Sequence, residues 1–335
     1  MTDRPGDERT DRTGGDPAGD ASVPLVTSAV AAQAPGLAGE VAALPPMPLG
    51  KAAPGHVGDK TVHWRRRLAY GVMITYAVLM FTPFLWSIIT SFKTRADAIN
   101  LTFIPQPVTL EGWQYLFERL DPSIFRLFAN SAGIAIAVTL SNLVLASLAG
   151  YAFARLRFPG REILFLIVLA TLMIPDQLRL VPVYLIMNAI GLTRGAGQYL
   201  AVVLVMAIGA ANIFLMRQYF LSIPRDIEEA ARIDGAGFFT TFWRVMLPLA
   251  TPALSAVAIL QFQGAWNAYF WPLILLRERD FFTVPIALGF FRTEFQTNYP
   301  PLMAVVVLAT LPVLALYIFF QRYFVEGIAA SGVKG

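Results

Sequence analysis

The sequence predicts an all-α integral membrane protein with six transmembrane helices. Three observations carry that expectation. The chain has 335 residues, of which 56% are hydrophobic and only 14% charged, against about 25% charged in soluble domains. Its apolar residues collect in runs of the length, about 20 residues, that crosses a hydrocarbon core of about 30 Å. Lysine and arginine are also distributed unevenly between the ends of those runs. With the N-terminus inside, Lys60, Arg65, Arg66, Arg67, Arg155, Arg157, Arg161, Arg217, Arg225, Arg232, Arg244, Arg322 and Lys334 flank the inner ends. The outer segments hold Lys93, Arg95, Arg119, Arg126, Arg194, Arg277, Arg279 and Arg292, spread over more residues. Both termini and the loop 222–248 are therefore expected in the cytoplasm.

Taken in order, residues 1–62 are rich in Ala, Pro, Gly and Asp. They cannot bury enough apolar surface to offset chain entropy, so a disordered cytoplasmic tail is expected, with or without a regulatory role. It carries no apolar stretch after a basic start and so does not read as a secretory signal. Residues 63–127 form the next unit: a basic cluster ending in Arg65-Arg66-Arg67, a first span over 68–91, and an outer loop. Within that loop, 110–118 reads as a short helix whose Trp113 and Tyr115 either anchor at the membrane interface or meet an external protein. The core is expected over 128–322, with spans near 130–154, 163–190, 199–216, 249–276 and 302–320, and a short tail over 323–335.

Three spans carry special residues. Ala146, Gly150 and Ala154 recur every fourth residue in the second, which lets helix backbones approach closely. The third is interrupted by Ile174-Pro175-Asp176-Gln177-Leu178-Arg179. Proline removes a backbone hydrogen bond and bends the helix, and charged groups at mid-membrane cost a few kcal/mol each. Two readings stay open: Asp176 and Gln177 line a translocation path, or the span ends near Pro175 and they sit among headgroups. The fifth span contains Gln261, Gln263, Trp266, Asn267, Tyr269 and Trp271. Amides and aromatic faces there suit a hydroxylated ligand, as Trp266, Asn267 and Tyr269 would, or serve as polar glue between helices.

Several chemistries are excluded. With no cysteine, thiolate catalysis, disulfides and thiolate metal sites are impossible. The two histidines, His56 and His63, precede the first span, so no histidine ligand or proton relay lies in the membrane. No phosphate-cradling G-x-x-x-x-G-K-[ST] is present; nucleotide-driven work would need another chain. The net charge of +4 belongs to span flanks and does not argue for nucleic acid. No catalytic, metal or cofactor site is expected.

The loop 222–248 is the patterned polar interruption of the second half. Ile227, Ala230, Ala231 and Ile233 are expected on one side of a short helix, with Arg225, Glu228 and Arg232 on the other. Gly235 and Gly237 then stop it. A second helical pattern follows at Phe239, Phe242, Trp243 and Met246, ended by Pro248.

Glu229-Ala230-Ala231, then Asp234-Gly235-Ala236, then Leu247-Pro248 together resemble the EAA loop of ABC importer permeases. The run from Trp266-Asn267 to Pro272-Leu273, and the ending Gly332-Val333-Lys334-Gly335, are similar to the shorter, maltose-type permease of carbohydrate importers. The resemblance covers about residues 65–335 and implies a MetI-like ABC importer permease core. It further implies a second permease subunit, an ABC ATPase dimer docked on the loop, an extracytoplasmic solute-binding protein, and a sugar substrate. Glu229, Ala230, Ala231, Asp234, Gly235, Ala236 and Pro248 would couple to the ATPase, and Lys334 and Gly335 would touch it at the C-terminus. The rivals are an ABC permease for a non-sugar solute, an ATPase-independent secondary transporter, which should show more intramembrane ionisable groups or an inverted repeat, and a membrane enzyme, which this chain's residues leave almost nothing to work with.

Overall fold

In the computed structural model the described residues are 59–292 and 297–332, with side chains described from 64 to 292 and from 297 to 320. The tail up to residue 58, together with Lys334 and Gly335, lies outside them. Among the described residues every regular element is a helix, apart from one isolated bridge between Arg292 and Thr297.

Contacts divide the chain into Met1–Gly71 and Val72–Gly335. The first helix, α1 (Asp59–Ser91), starts in the former and ends in the latter. Its apolar side chains, from Val72 and Met73 to Phe81, are exposed, as expected of a helix whose solvent is lipid.

Three helices are long and apolar enough to cross a membrane: Trp64–Ser91 within α1, α3 (Ile124–Arg155), and Tyr299–Phe320 within the last helix. Three bent pairs bring the number to six if each pair is one span. The third span is α4 (Arg161–Ala170), extended by a turn to Met173, and α5 (Asp176–Ala189), meeting at 104°. The fourth is α6 (Gly197–Met206) and α7 (Ala210–Ser222), at 48°. Next come α8 (Asp226–Ile233) and α9 (Phe238–Leu249), the latter holding a π-helical turn over Thr241–Met246. The fifth span, α10 (Thr251–Trp266), leaves α9 at 75°. The turn falls at Ala250, between Pro248 and Pro252, so Pro248 sits inside the last turn of α9 rather than ending it. After α11 (Phe270–Leu275) and α12 (Val284–Ala287), the last helix, α13, runs over Tyr299–Gly332. It passes the boundary expected at 322 without a break.

Helix α3 is the central element. Ser123 caps it by accepting the Arg126 N–H, and it packs on α7 and α10. The four-residue repeat does what its spacing suggests: Ala146 and Ala154 are buried. A Cβ on Gly150 would lie 2.6 Å from the Met216 Cβ of α7. Around this contact Tyr151, Phe165, Met216, Phe220, Phe242 and Met246 form one apolar cluster. A second cluster joins Ile134, Val138, Val202, Trp266, Trp271 and Leu275 at the other end of α3. A third gathers Leu116, Leu127, Val284, Phe291 and Val305.

Candidate functional site

The loop between the fourth and fifth spans folds as a helix, a glycine turn and a second helix. The first turn of α8 holds Asp226, Glu228 and Glu229, acids that the positive end of a helix dipole favours. Asp234 ends it, and Gly235 follows with φ +82°. The Gly235 N–H bonds the Arg232 carbonyl at 3.0 Å and the Ala236 N–H bonds the Ala231 carbonyl at 2.9 Å. That is the paired closure of a Schellman turn, which needs a left-handed residue at this position. A Cβ on Gly235 would meet nothing within 4 Å, so the turn demands glycine for its backbone conformation and not for space between the helices.

The faces of α8 differ from the sequence expectation. Glu228, placed with the polar residues, is buried, while Ile233, placed on the inward side, is 86% exposed and Ala230 is exposed too. The cause is Arg155 at the end of α3. Its Nε lies 2.9 Å from Glu228 Oε1, with only 4% and 7% of the two side chains exposed. The two charges meet without a well-aligned N–H···O geometry; the contact is electrostatic. A second guanidinium nitrogen of Arg155 donates to the Ile223 carbonyl. Turning Glu228 inward carries Ile227 and Ala231 with it and leaves Arg225, Glu229, Ala230, Arg232, Ile233 and Asp234 outward. Beside them a cleft of about 380 Å³ is lined by Arg155, Arg157, Arg225, Arg232, Glu228 and Glu229. Along α9 the expected apolar stripe also splits: Phe242 and Met246 are buried, whereas Phe239 and Trp243 are 69% and 50% exposed.

The residues considered for a translocation path do not form one group. The chain turns at Ile174-Pro175, and Asp176 opens α5 and pairs with Arg179. From Arg161 to Met173 the helix is about 20 Å long, short of a core of about 30 Å. Arg179 lies 5.9 Å from the Trp271 ring centre, so the polar corner meets α11. Gln177, Asn267 and Tyr269 are exposed. Trp266 is not: its indole N–H donates to the Ala309 carbonyl of α13 at 3.0 Å, and its ring stacks on Phe262. It therefore joins helices, the second of the two uses the sequence left open. Trp113, a candidate interface anchor, likewise packs on protein, donating to Ser91 Oγ at 3.3 Å and facing Phe92.

Sequence reasoning missed a set of amides inside the spans. Asn142 of α3 donates to the Met206 carbonyl at 2.9 Å and accepts from the Gly209 N–H at 2.9 Å, bridging the backbone gap between α6 and α7. Asn212 donates to Asn142 Oδ1 at 2.9 Å and to Gln261 Oε1 at 2.7 Å. Toward the other end, Gln198 accepts from the Arg277 N–H and donates to Glu278 Oε1 at 2.9 Å. Asn130 donates to the Asp280 and Phe282 carbonyls, both at 2.8 Å, and accepts from the Tyr199 hydroxyl. The signal was available: an amide within a long apolar run must find a partner.

Residues 142–329 match the family described as the inner membrane component of binding-protein-dependent transport systems. The chain belongs to this family. The permease is 38% identical over 275 residues to the arabinooligosaccharides transport system permease protein AraQ of Halalkalibacterium halodurans, covering 80% of this chain and 97% of the relative. It is 30% identical over 271 residues to the lactose transport system permease protein LacG of Rhizobium radiobacter, covering 80% and 97%. It also superposes on a chain of a bacterial ABC transporter involved in the import of the acidic polysaccharide alginate, with a TM-score of 0.68 and 24% identity, covering 80% of this chain and 99% of that one. The permease is thus a multi-pass membrane protein with the ABC importer permease fold.

Proposed function

We propose that this permease is the membrane subunit of an ATP-driven sugar importer. It pairs with a second permease to form the translocation path. A solute-binding protein delivers the sugar outside, and a separate ATPase dimer hydrolyses ATP inside. The loop 222–248 couples the two, and both termini lie in the cytoplasm. Asp176, Gln177, Asn267 and Tyr269 are assigned to the path. The observation that carries the reading is the form of α8: joined to α3 through Arg155–Glu228, it turns Glu229, Ala230 and Ile233 outward, where a partner would meet them. The relatives' names, which refer to arabinooligosaccharides and lactose, support the sugar class.

The test is uptake combined with recovery of the ATPase on the tagged permease. Glu229→Lys reverses an exposed charge. Gly235→Val forces a branched residue into a left-handed turn, at about 1–2 kcal/mol. Both variants are expected in the membrane at near-normal level with transport abolished. Normal uptake by both would overturn the coupling assignment, and loss of both from the membrane would make the residues structural.

Sidedness has its own check. The chain has no cysteine, so single cysteines can be introduced at Gly237, beside the Gly235 turn and with open space around it, and at Gln114. The first should react only with membrane-permeant thiol reagents and the second also with impermeant ones. The reverse pattern would refute the orientation.

A further inference from the structure

A cavity of about 690 Å³ opens between the turn that follows α3 and the residue that precedes α8. Arg157, Arg161, Glu162 and Arg225 line it, with Phe158 and Ile163 as apolar wall. Arg157 and Arg225 also line the neighbouring cleft of about 380 Å³. The acid in the larger cavity is already engaged. Glu162 pairs with Arg161 at 2.7 Å and with Arg217 at 2.9 Å, and Arg161 gives a further N–H to the Leu156 carbonyl at 3.1 Å. Arg157 and Arg225 are exposed, and neither guanidinium has a carboxylate partner among the described residues. Two positive charges therefore line the cavity uncompensated, beside a third that shares its acid. A polar cavity of about 440 Å³ at the other end, beside α2 (Glu111–Gln114), differs: there Glu111 stands among the arginines Arg95 and Arg119.

The charge decides the class of ligand. A cleft lined by one sign of charge concentrates counter-ions, and a planar guanidinium matches the oxygens of a phosphate two at a time. A single carboxylate would leave one of the two arginines unmatched; a phosphate monoester brings a charge of about −1.5 to −2 and three acceptor oxygens. An acidic protein surface fits less well. Asp226 and Glu229 are exposed on α8 beside Arg225, so a broad acidic face that reached Arg225 would meet them as well. Neither lines the larger cavity, and a group small enough to enter it passes them by.

We propose that this cavity binds a phosphate group between Arg157 and Arg225, with Arg161 beside them. A phosphate held there bridges the turn after α3 to the start of α8, next to the Arg155–Glu228 contact. The headgroup of an anionic phospholipid and a soluble phosphate offer the same chemistry. The assignment rests on the charges of the cavity and not on a coupling role for α8.

The experiment uses the complete transporter, assembled with cysteine-free partner subunits in dodecyl maltoside, a detergent without phosphate. Pro159→Cys puts a thiol on the cavity wall, and its modification by a sulfonate-bearing methanethiosulfonate is timed at fixed ionic strength. Inorganic phosphate in place of chloride should slow the reaction about ten-fold, the low end of the anion enrichment expected of such a cleft. Protection by phosphatidylglycerol, added or carried through purification, with little further effect of phosphate, supports the proposal equally and makes the lipid the source. In either case the double variant Arg157→Gln with Arg225→Gln should abolish the protection, and Arg244→Gln, remote from the cavity lining, should keep it. Protection that survives the double variant would place the anion elsewhere. Free reaction in the presence of both phosphate and phosphatidylglycerol would show that no site exists. A thiol unreactive from the outset, in the double variant as well, would show a partner subunit covering the cavity. Each of these three results overturns the proposal.

Discussion

The two ends of the helical bundle are held by different chemistry. At the end that carries the loop 222–248, charges meet: Arg155 with Glu228, and Arg217 with Glu162 at 2.9 Å. Aromatic rings fill the space around them, with Tyr151 against Phe220, Phe238 and Phe242. At the opposite end, neutral side chains grip backbone. Asn130 holds two carbonyls of the segment after α11, Ser131 accepts the Val284 N–H at 2.8 Å, and Gln198 accepts the Arg277 N–H. The ion pair found there, Arg126–Asp280, is more than half exposed and adds little. Amides bonded to backbone hold a shape whatever side chains the gripped segment carries. A buried ion pair holds only while both partners are present. The difference is a fixed frame at one end and, at the other, a presented element whose buried face centres on one ion pair.

The comparison can be broken most severely at Glu228. Glu228→Ala leaves Arg155 buried without its counter-charge, a defect of about 3–5 kcal/mol. It should lower the unfolding temperature and expose the loop 222–237 to protease. The pair Arg155→Met with Glu228→Leu removes both charges and should recover most of that stability. If the single variant is as mild as the double, the contact does not hold α8.

A smaller effect is expected at the other end. Gln198→Leu keeps the volume but leaves the Arg277 and Glu278 N–H groups and the Gly195 carbonyl without their amide partner, at about 1–3 kcal/mol. Hydrogen exchange should quicken at Arg277 and Glu278 and stay unchanged across α8. Faster exchange at both ends would mean that the two are one cooperative unit and the contrast false.

The smallest effect tests the loop after α1. Burial pushes the Asp97 carboxyl up, but the Gln106 N–H, Asn100, Thr102 and the Lys93 charge together hold it below its ordinary value. A carboxylate lowered in the folded state contributes stability above its unfolded pKa, about 3.9, and loses it as pH falls through the lower folded value. Bimane at Leu101→Cys should therefore keep its emission from pH 7 to 5 and change only below about pH 4. Asp97→Asn should remove that step; its persistence in the variant would assign the step to another group.

Much of this was legible in the sequence because it rests on spacing. The apolar runs, the glycine turn at Gly235, the close approach at Gly150 and the break at Pro175 each follow from a local rule. The rest depends on which distant residue arrives opposite. Glu228 reads as a surface acid until Arg155 stands beside it, and Ala230 and Ile233 then change sides with it. Trp266 reads as either a ligand platform or glue between helices until the Ala309 carbonyl takes its N–H. The 104° bend exceeds what Pro175 alone announces, and no local rule says that Arg179 will come to lie beside Trp271. Asp176 and Asn267, which are proposed for the path, belong in part to this second group: their chemistry is readable, and their company is not.

Asn142 shows what that dependence means for exchangeability. Its side chain gives one N–H to the Met206 carbonyl and takes one from Gly209, so the position demands a donor and an acceptor on the same short stem. Aspartate can only accept, serine is too short to span the gap, and leucine offers neither. The corner of the fourth span is thus specified from another helix. A chimera that borrowed residues 197–222 and left position 142 behind would import the sequence of that span without its shape.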